Sequence, residues 1–151
     1  MKRHPSLQPF SRDHHACLVL ARHLENEPSG QRLSEFLRVW NDEMEDHFFE
    51  EERVLLRFTT PEQNARLINE HMTIRQYATA ATRGMLDAGD IVRLGGLITD
   101  HIRWEERRLF PSIEESASLE ELNEIAAEAM ELDQLRSAST HAPRRGELMS
   151  R

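Results

Sequence analysis

His47 and Glu51 stand four residues apart in this chain, and so do His101 and Glu105. On a helix that spacing sets both side chains of a pair on one face, a turn apart. Their neighbours at steps of three and four are apolar: Phe36, Trp40, Met44, Val54 or Leu55 and Phe58 around the first pair, Leu94, Leu97 or Ile98 and Leu109 around the second. Both pairs therefore face a core. Two more histidines share such stripes, His14 ahead of Cys17, Leu18, Ala21 and Leu24, and His71 between Leu67 and Ile74. Singly, each has a plain reading as a hydrogen-bonded core histidine or a surface i,i+4 pair. Together they pose a problem of charge. An ionised carboxylate buried without a partner costs several kcal/mol, and a domain has only ~5–15 kcal/mol of net stability to spare. A cluster of cations removes the conflict, because neutral imidazoles donate lone pairs while carboxylates neutralise and bridge. Six donors exceed the needs of one tetrahedral zinc. They suit two metals sharing bridging carboxylates, and the mixed nitrogen and oxygen set favours iron, manganese or zinc over magnesium or calcium.

For these residues to meet, four helices must converge. Ser11 is placed to cap a first helix reaching about Glu27, ended by "EPSG". A second runs from about Gln31 to Phe58. Thr60, Pro61 and Gln63 form a capping threonine, a proline at the first helical position and the reciprocal glutamine of a capping box, opening a third helix to about Asp87. Asp90 is placed to cap the fourth, which runs to about Leu109 and is expected to stop before Pro111. Ser118 and Glu121 make a second capping box, and a fifth helix extends to about Leu135. Connections this short make successive helices antiparallel neighbours. The expected fold is all-α: an up-down-up-down four-helix bundle with an additional C-terminal helix over residues 1–136, then a polar, patternless tail, 137–151, expected to be disordered. In such a bundle helices two and four run parallel, so the two HxxxE pairs point the same way at one depth. The fifth helix has its own apolar stripe of Leu119, Leu122, Ile125, Ala126, Ala129 and Leu132. It is expected to pack along the bundle or against a second copy, which would make a homodimer.

Bulk properties narrow the classes. A net charge of −8 argues against nucleic acid as the main partner. No apolar run approaches the ~18 residues of a membrane span, the opening "MKRHPSLQPFSRDHH" holds no apolar stretch to act as a secretory signal, and a lone cysteine, Cys17, leaves no disulfide framework. A cytoplasmic location is expected.

With "DHHACLVLA" on the first helix, "HFFEEE" on the second, "NEHM" on the third and "HIRWEERRLFP" on the fourth, the chain resembles the hemerythrin-like, or HHE cation-binding, family over about residues 10 to 112. The resemblance implies a bundle holding a non-haem di-iron centre, two irons with an oxo or hydroxo bridge, zinc or manganese being able to take the same donors. Carried over position by position, His14, His47, Glu51, His71, His101 and Glu105 are the implied metal ligands, His14 and His47 on one metal, His71 and His101 on the other, both glutamates bridging. The family's oxygen carriers have a fifth histidine four residues after the one on the third helix, where this chain has Arg75. Their last-helix carboxylate falls five residues after its histidine, at Glu106 here; Glu105 is preferred because it shares the face of His101, and His15 is the alternative to His14. The implied function is to bind or sense oxygen, nitric oxide, peroxide or iron. The alternatives are a di-iron oxidoreductase or iron donor for cluster repair, a structural protein binding zinc or another cation, and a metal-free helical interaction protein. No cofactor motif or proton relay marks the chain as an enzyme.

Overall fold

The computed structural model describes residues 2–139, and of the expected tail the part from residue 140 onward lies outside the described residues. Among the described residues every regular element is helical. They are α1 (Gln8–Ser11), α2 (His14–Asn26), α3 (Gly30–Val39), α4 (Glu45–Leu55), α5 (Pro61–Thr82), α6 (Ala88–Trp104), α7 (Phe110–Ser116) and α8 (Leu119–Ser139). A π turn, Trp40–Met44, joins α3 to α4, and a second, Glu105–Leu109, joins α6 to α7. The bundle thus has four rods: α2, α3 with α4, α5, and α6 with α7.

Local chemistry sets the ends. Ser29 caps α3 by accepting from the Arg32 amide, and Thr60 with Gln63 forms the expected capping box at α5. Gly84 closes α5 in the left-handed region, φ 69°, where a side chain would be strained. Ser118 and Glu121 bond reciprocally at the start of α8.

Four expected boundaries are corrected, the first being the end of the third helix, which stops at Thr82 rather than near Asp87. Ser11 is no cap: it ends the short α1, α2 begins at His14, and the Ser11 hydroxyl donates to Glu106 instead, at 2.6 Å. Asp90 is the reciprocal partner in a capping box whose cap is Asp87. Pro111 does not stop the fourth rod, which continues to Ser116. The π turn before it carries the Phe110 amide to the Glu105 carbonyl, so the ordinary i→i−4 ladder that a proline interrupts is already broken there. The carbonyl of Glu106 is met from outside the helix, by Arg3 Nη2 at 2.8 Å.

Each rod crosses from one apolar cluster to another at its polar seam residues. Cys17, Leu24, Phe36, Phe48, Ile74 and Ile98 belong to one cluster; Phe10, Val54, Leu67, Leu109, Phe110 and Ile113 belong to the other. His14, Glu51, His71, and His101 with Glu105 lie between these members in sequence, and His47 stands directly before Phe48. A polar layer is sandwiched between two apolar plugs. Helix α8 seals the second plug from within the chain, burying Leu122, Ile125 and Ala129 there, with Arg57 on Glu128 and Arg136 on Glu50 fastening it to the second rod. The first plug closes where α2 and α6 approach most nearly: a Cβ on Gly95 would lie 2.6 Å from the carbonyl oxygen of Ala21. No helix among the described residues is long and apolar enough to cross a membrane.

Candidate metal centre

Because the rods are antiparallel, the start of α2, the first two turns of α4, the middle of α5 and the end of α6 lie at one level. His14, Glu51, His71, His101 and Glu105 are buried, Glu51 and His71 at 0% exposure, and His47 is half-buried, its side chain 14% exposed. The two glutamates stand at the centre. His71 Nε2 is 3.1 Å from one oxygen of Glu51, and His47 Nε2 is 3.3 Å from the other. His14 Nε2 and His101 Nε2 approach the same oxygen of Glu105 at 3.3 and 3.4 Å. Four inward atoms, His47 Nε2, Glu51 Oε2, His101 Nε2 and Glu105 Oε2, are buried without a hydrogen bond. Orphaned polar atoms that converge are costly unless something binds them. Two sets of four donors, each with ligand atoms mutually within 4.8 Å, could each hold a cation: His14, His47, Glu51 and Glu105, and Glu51, His71, His101 and Glu105. Glu51 and Glu105 belong to both sets. All six residues singled out in the sequence are brought together, and the donor chemistry fits a pair of cations.

A second layer of carboxylates holds the outer nitrogens of three rings. Glu52 accepts from or faces His71 Nδ1 at 2.7 Å, Glu70 does so for His101 Nδ1 at 2.8 Å, and Glu106 for His14 Nδ1 at 3.2 Å. Each reaches across to the next rod, and each meets an arginine in turn: Arg75 on Glu52 at 2.8 Å, Arg66 on Glu70 at 2.8 Å, and Arg3 on Glu106 at 3.7 Å. A carboxylate on the outer nitrogen fixes the tautomer and turns the inner nitrogen's lone pair toward a cation. Glu106 therefore takes a supporting position and Glu105 a central one, while His15 and Glu43 are exposed. Arg75, in place of a fifth histidine, braces Glu52.

Charge follows this geometry. Burial works against protonated His14, but the carboxylates of Glu105 and Glu106 outweigh it and lift its pKa to about 10. His71, likewise opposed by burial and favoured by Glu51 and Glu52, rises to about 9. Glu105 is pushed up to about 7 by burial and by the negative charge of Glu51. Glu51 goes the other way: despite burial, His47 and its other partners hold it well below the usual carboxylate range. Metal-free, the cluster stores protons where cations would sit.

Beside Glu105 and His101 lies a cavity of about 20 Å³, measured as space open to the centre of a water-sized sphere. Its wall is mostly apolar and includes Cys17, Met44, Phe48 and Ile98. Burial pushes the Cys17 thiol up to about 12, which keeps it protonated and unreactive.

The supporting residues Glu52, Glu70 and Glu106 were not singled out for this role in the sequence. A signal existed: each is the immediate neighbour of a seam residue, Glu51, His71 or Glu105. One step along a helix turns a side chain by about 100°, off the inward face but still within reach of the adjacent rod.

Comparison with known proteins agrees with this geometry. The family model described as the hemerythrin HHE cation binding domain matches residues 7–113. Neither the curated proteins nor the solved structures give a significant match to the chain.

Proposed function

The chain belongs to the hemerythrin HHE cation-binding family, and from that premise we propose that it holds a di-iron centre which binds or senses a small ligand: oxygen, nitric oxide or peroxide. The observation that carries the reading is the pair of four-donor sets sharing Glu51 and Glu105. In that reading His14 and His47 would hold one iron and His71 and His101 the other, with Glu51 and Glu105 available to both. A ferrous pair would supply electrons to such a ligand. The protein's own part is to orient four imidazoles, to balance the cationic charge with two buried carboxylates, and to keep bulk water out with two apolar plugs. The cavity supports a small ligand, since about 20 Å³ of such space admits a molecule of roughly water size. With no membrane-spanning helix among the described residues and a net charge of −8, the proposed setting is cytoplasmic and without nucleic acid.

The test is elemental analysis of protein purified without chelators or a metal-affinity tag. We expect about two irons per chain, loss of at least one in Glu51→Ala or Glu105→Ala, and no loss in Glu45→Ala, whose side chain is exposed. Two zincs would shift the function to cation handling or structure. Full occupancy in Glu51→Ala would sink the bridging assignment. Four histidines leave more open coordination positions than five, which supports oxidoreductase turnover as the second reading; sustained peroxide or nitric oxide consumption by the iron-loaded chain would favour it.

A further inference from the structure

We infer that the two cation positions are unequal: cations enter and leave through the His14–His47 half, past Asp13 and Glu43, while the His71–His101 half retains its cation. The inference rests on the two-cation reading above and adds to it the roles of Asp13, Glu43 and the outer carboxylates.

Three observations converge. The first is access. Of the residues lining the cavity, only Asp13, Glu43 and His47 reach solvent. The cavity's mouth is therefore at these three, and orphaned, buried Glu105 Oε2 and His101 Nε2 stand within. The second is support. His71 and His101 each have a carboxylate on the outer nitrogen, and Phe48 stacks on the His71 ring at 3.9 Å with the planes 4° apart. His47 meets the inward carboxylate of Glu51 and, edge-on, the rings of Phe10 and His14, but no carboxylate sits on its outer nitrogen among the described residues. It is also the most exposed of the four rings. Losing such outer support typically costs ~10–100-fold in metal affinity, so the set containing His47 is the weaker holder.

The third is charge at the surface. Around the other three histidines, the outer carboxylates are closed by Arg75, Arg66 and Arg3. At the mouth, neither Asp13 nor Glu43 is engaged in an ion pair among the described residues. Two open carboxylates at the neck of a low-dielectric cleft raise the local concentration of a cation and its rate of arrival. An arginine-closed carboxylate does the opposite. A divalent cation is therefore drawn to the mouth at Asp13 and Glu43 more strongly than to the arginine-closed carboxylates.

Release kinetics test this on the full chain. The protein is loaded with ferrous iron under nitrogen, its iron is counted, and excess 2,2′-bipyridine is added while the coloured complex is followed. We expect two phases of equal amplitude, one iron each, the first at least about tenfold faster. Glu70→Gln, at a half-buried position outside the cluster, is expected to accelerate the second phase and leave the first alone. The double variant Asp13→Asn with Glu43→Gln is expected to slow iron uptake by about tenfold while the final content stays at two irons. A single phase releasing both irons overturns the inequality and leaves the two-cation reading standing. Acceleration of the first phase by Glu70→Gln, or unchanged uptake in the double variant, overturns the assignment of the halves. A starting content of one iron or none overturns both readings together.

Discussion

His14 is held between two carboxylates, its ring nitrogens 3.3 Å from Glu105 and 3.2 Å from Glu106, and this decides how the metal-free chain responds to pH. Its pKa of about 10 and that of His71, about 9, lie above the ~6.5 of an unfolded histidine. The folded chain thus binds these protons more tightly than the unfolded one. Their stabilisation is complete below about pH 6.5 and drains away as pH rises through 9 to 10. Glu105, raised to about 7, acts in the same sense at lower pH. Glu52, Glu70 and Glu106 are lowered, although burial opposes it, by His71, His101 and His14 respectively; their stabilisation is lost instead as pH falls below about 4.5. We expect the melting temperature of the metal-free protein to peak near pH 6 and to fall steadily toward pH 10, measured by calorimetry in chelator-treated buffer. A flat profile from pH 6.5 to 9.5 would contradict the protonated cluster. Loading at pH 7 must then displace the protons of His14 and His71, which titration in buffers of different ionisation enthalpy would count. At this scale the sequence was most legible. A glutamate on an apolar stripe is an anomaly that one helical period exposes, whereas Glu52, Glu70 and Glu106 fall among ordinary surface acids until the neighbouring rod is in place.

At the scale of elements, the existence and order of the helices could be read from periodicity and caps, but not where the helical ladder changes pitch. The two π turns, Trp40–Met44 and Glu105–Leu109, have no composition signal. Pro111 was a reasonable stop signal that a broken ladder made harmless. The contact between α2 and α6 was likewise hidden, because it depends on the absence of a side chain at Gly95. Two adjacent glycines make a controlled comparison. A Cβ at Gly95 would meet the Ala21 carbonyl at 2.6 Å and Glu25 Cγ at 2.7 Å, whereas at Gly96 its nearest neighbour is a Glu25 carboxylate oxygen at 3.9 Å. Gly95→Ala gains about 1 kcal/mol of helix propensity but forces two backbones apart, an overpacking cost of ~1–3 kcal/mol or more. Gly96→Ala gains the propensity alone. We expect thermal unfolding to shift down for Gly95→Ala by roughly 3–8 °C and up by a few degrees for Gly96→Ala. Equal shifts of one sign would show that α6 does not rest on the α2 backbone.

For the molecule as a whole, the polar layer between two apolar plugs couples stability to occupancy. A cation bound to the folded chain at a hundred times its dissociation constant adds about 2.7 kcal/mol, or roughly 5–11 °C in melting temperature for a chain of this size. The same layer is a liability when empty, since Glu51 and Glu105 are both fully buried and face each other. The substitution Glu105→Gln separates the two effects. Above pH 7 it removes one of two like charges from the metal-free core, so the unloaded variant should melt at or above the temperature of the unloaded parent. It also removes a donor shared by both four-residue sets, so the rise on adding ferrous iron or zinc should shrink to less than half. Opposite signs in the unloaded and loaded states are what a site selected for binding at the expense of stability requires. If Glu105→Gln destabilised both states alike, the carboxylate would be a structural hydrogen-bonding group, and the six seam residues would be satisfying one another.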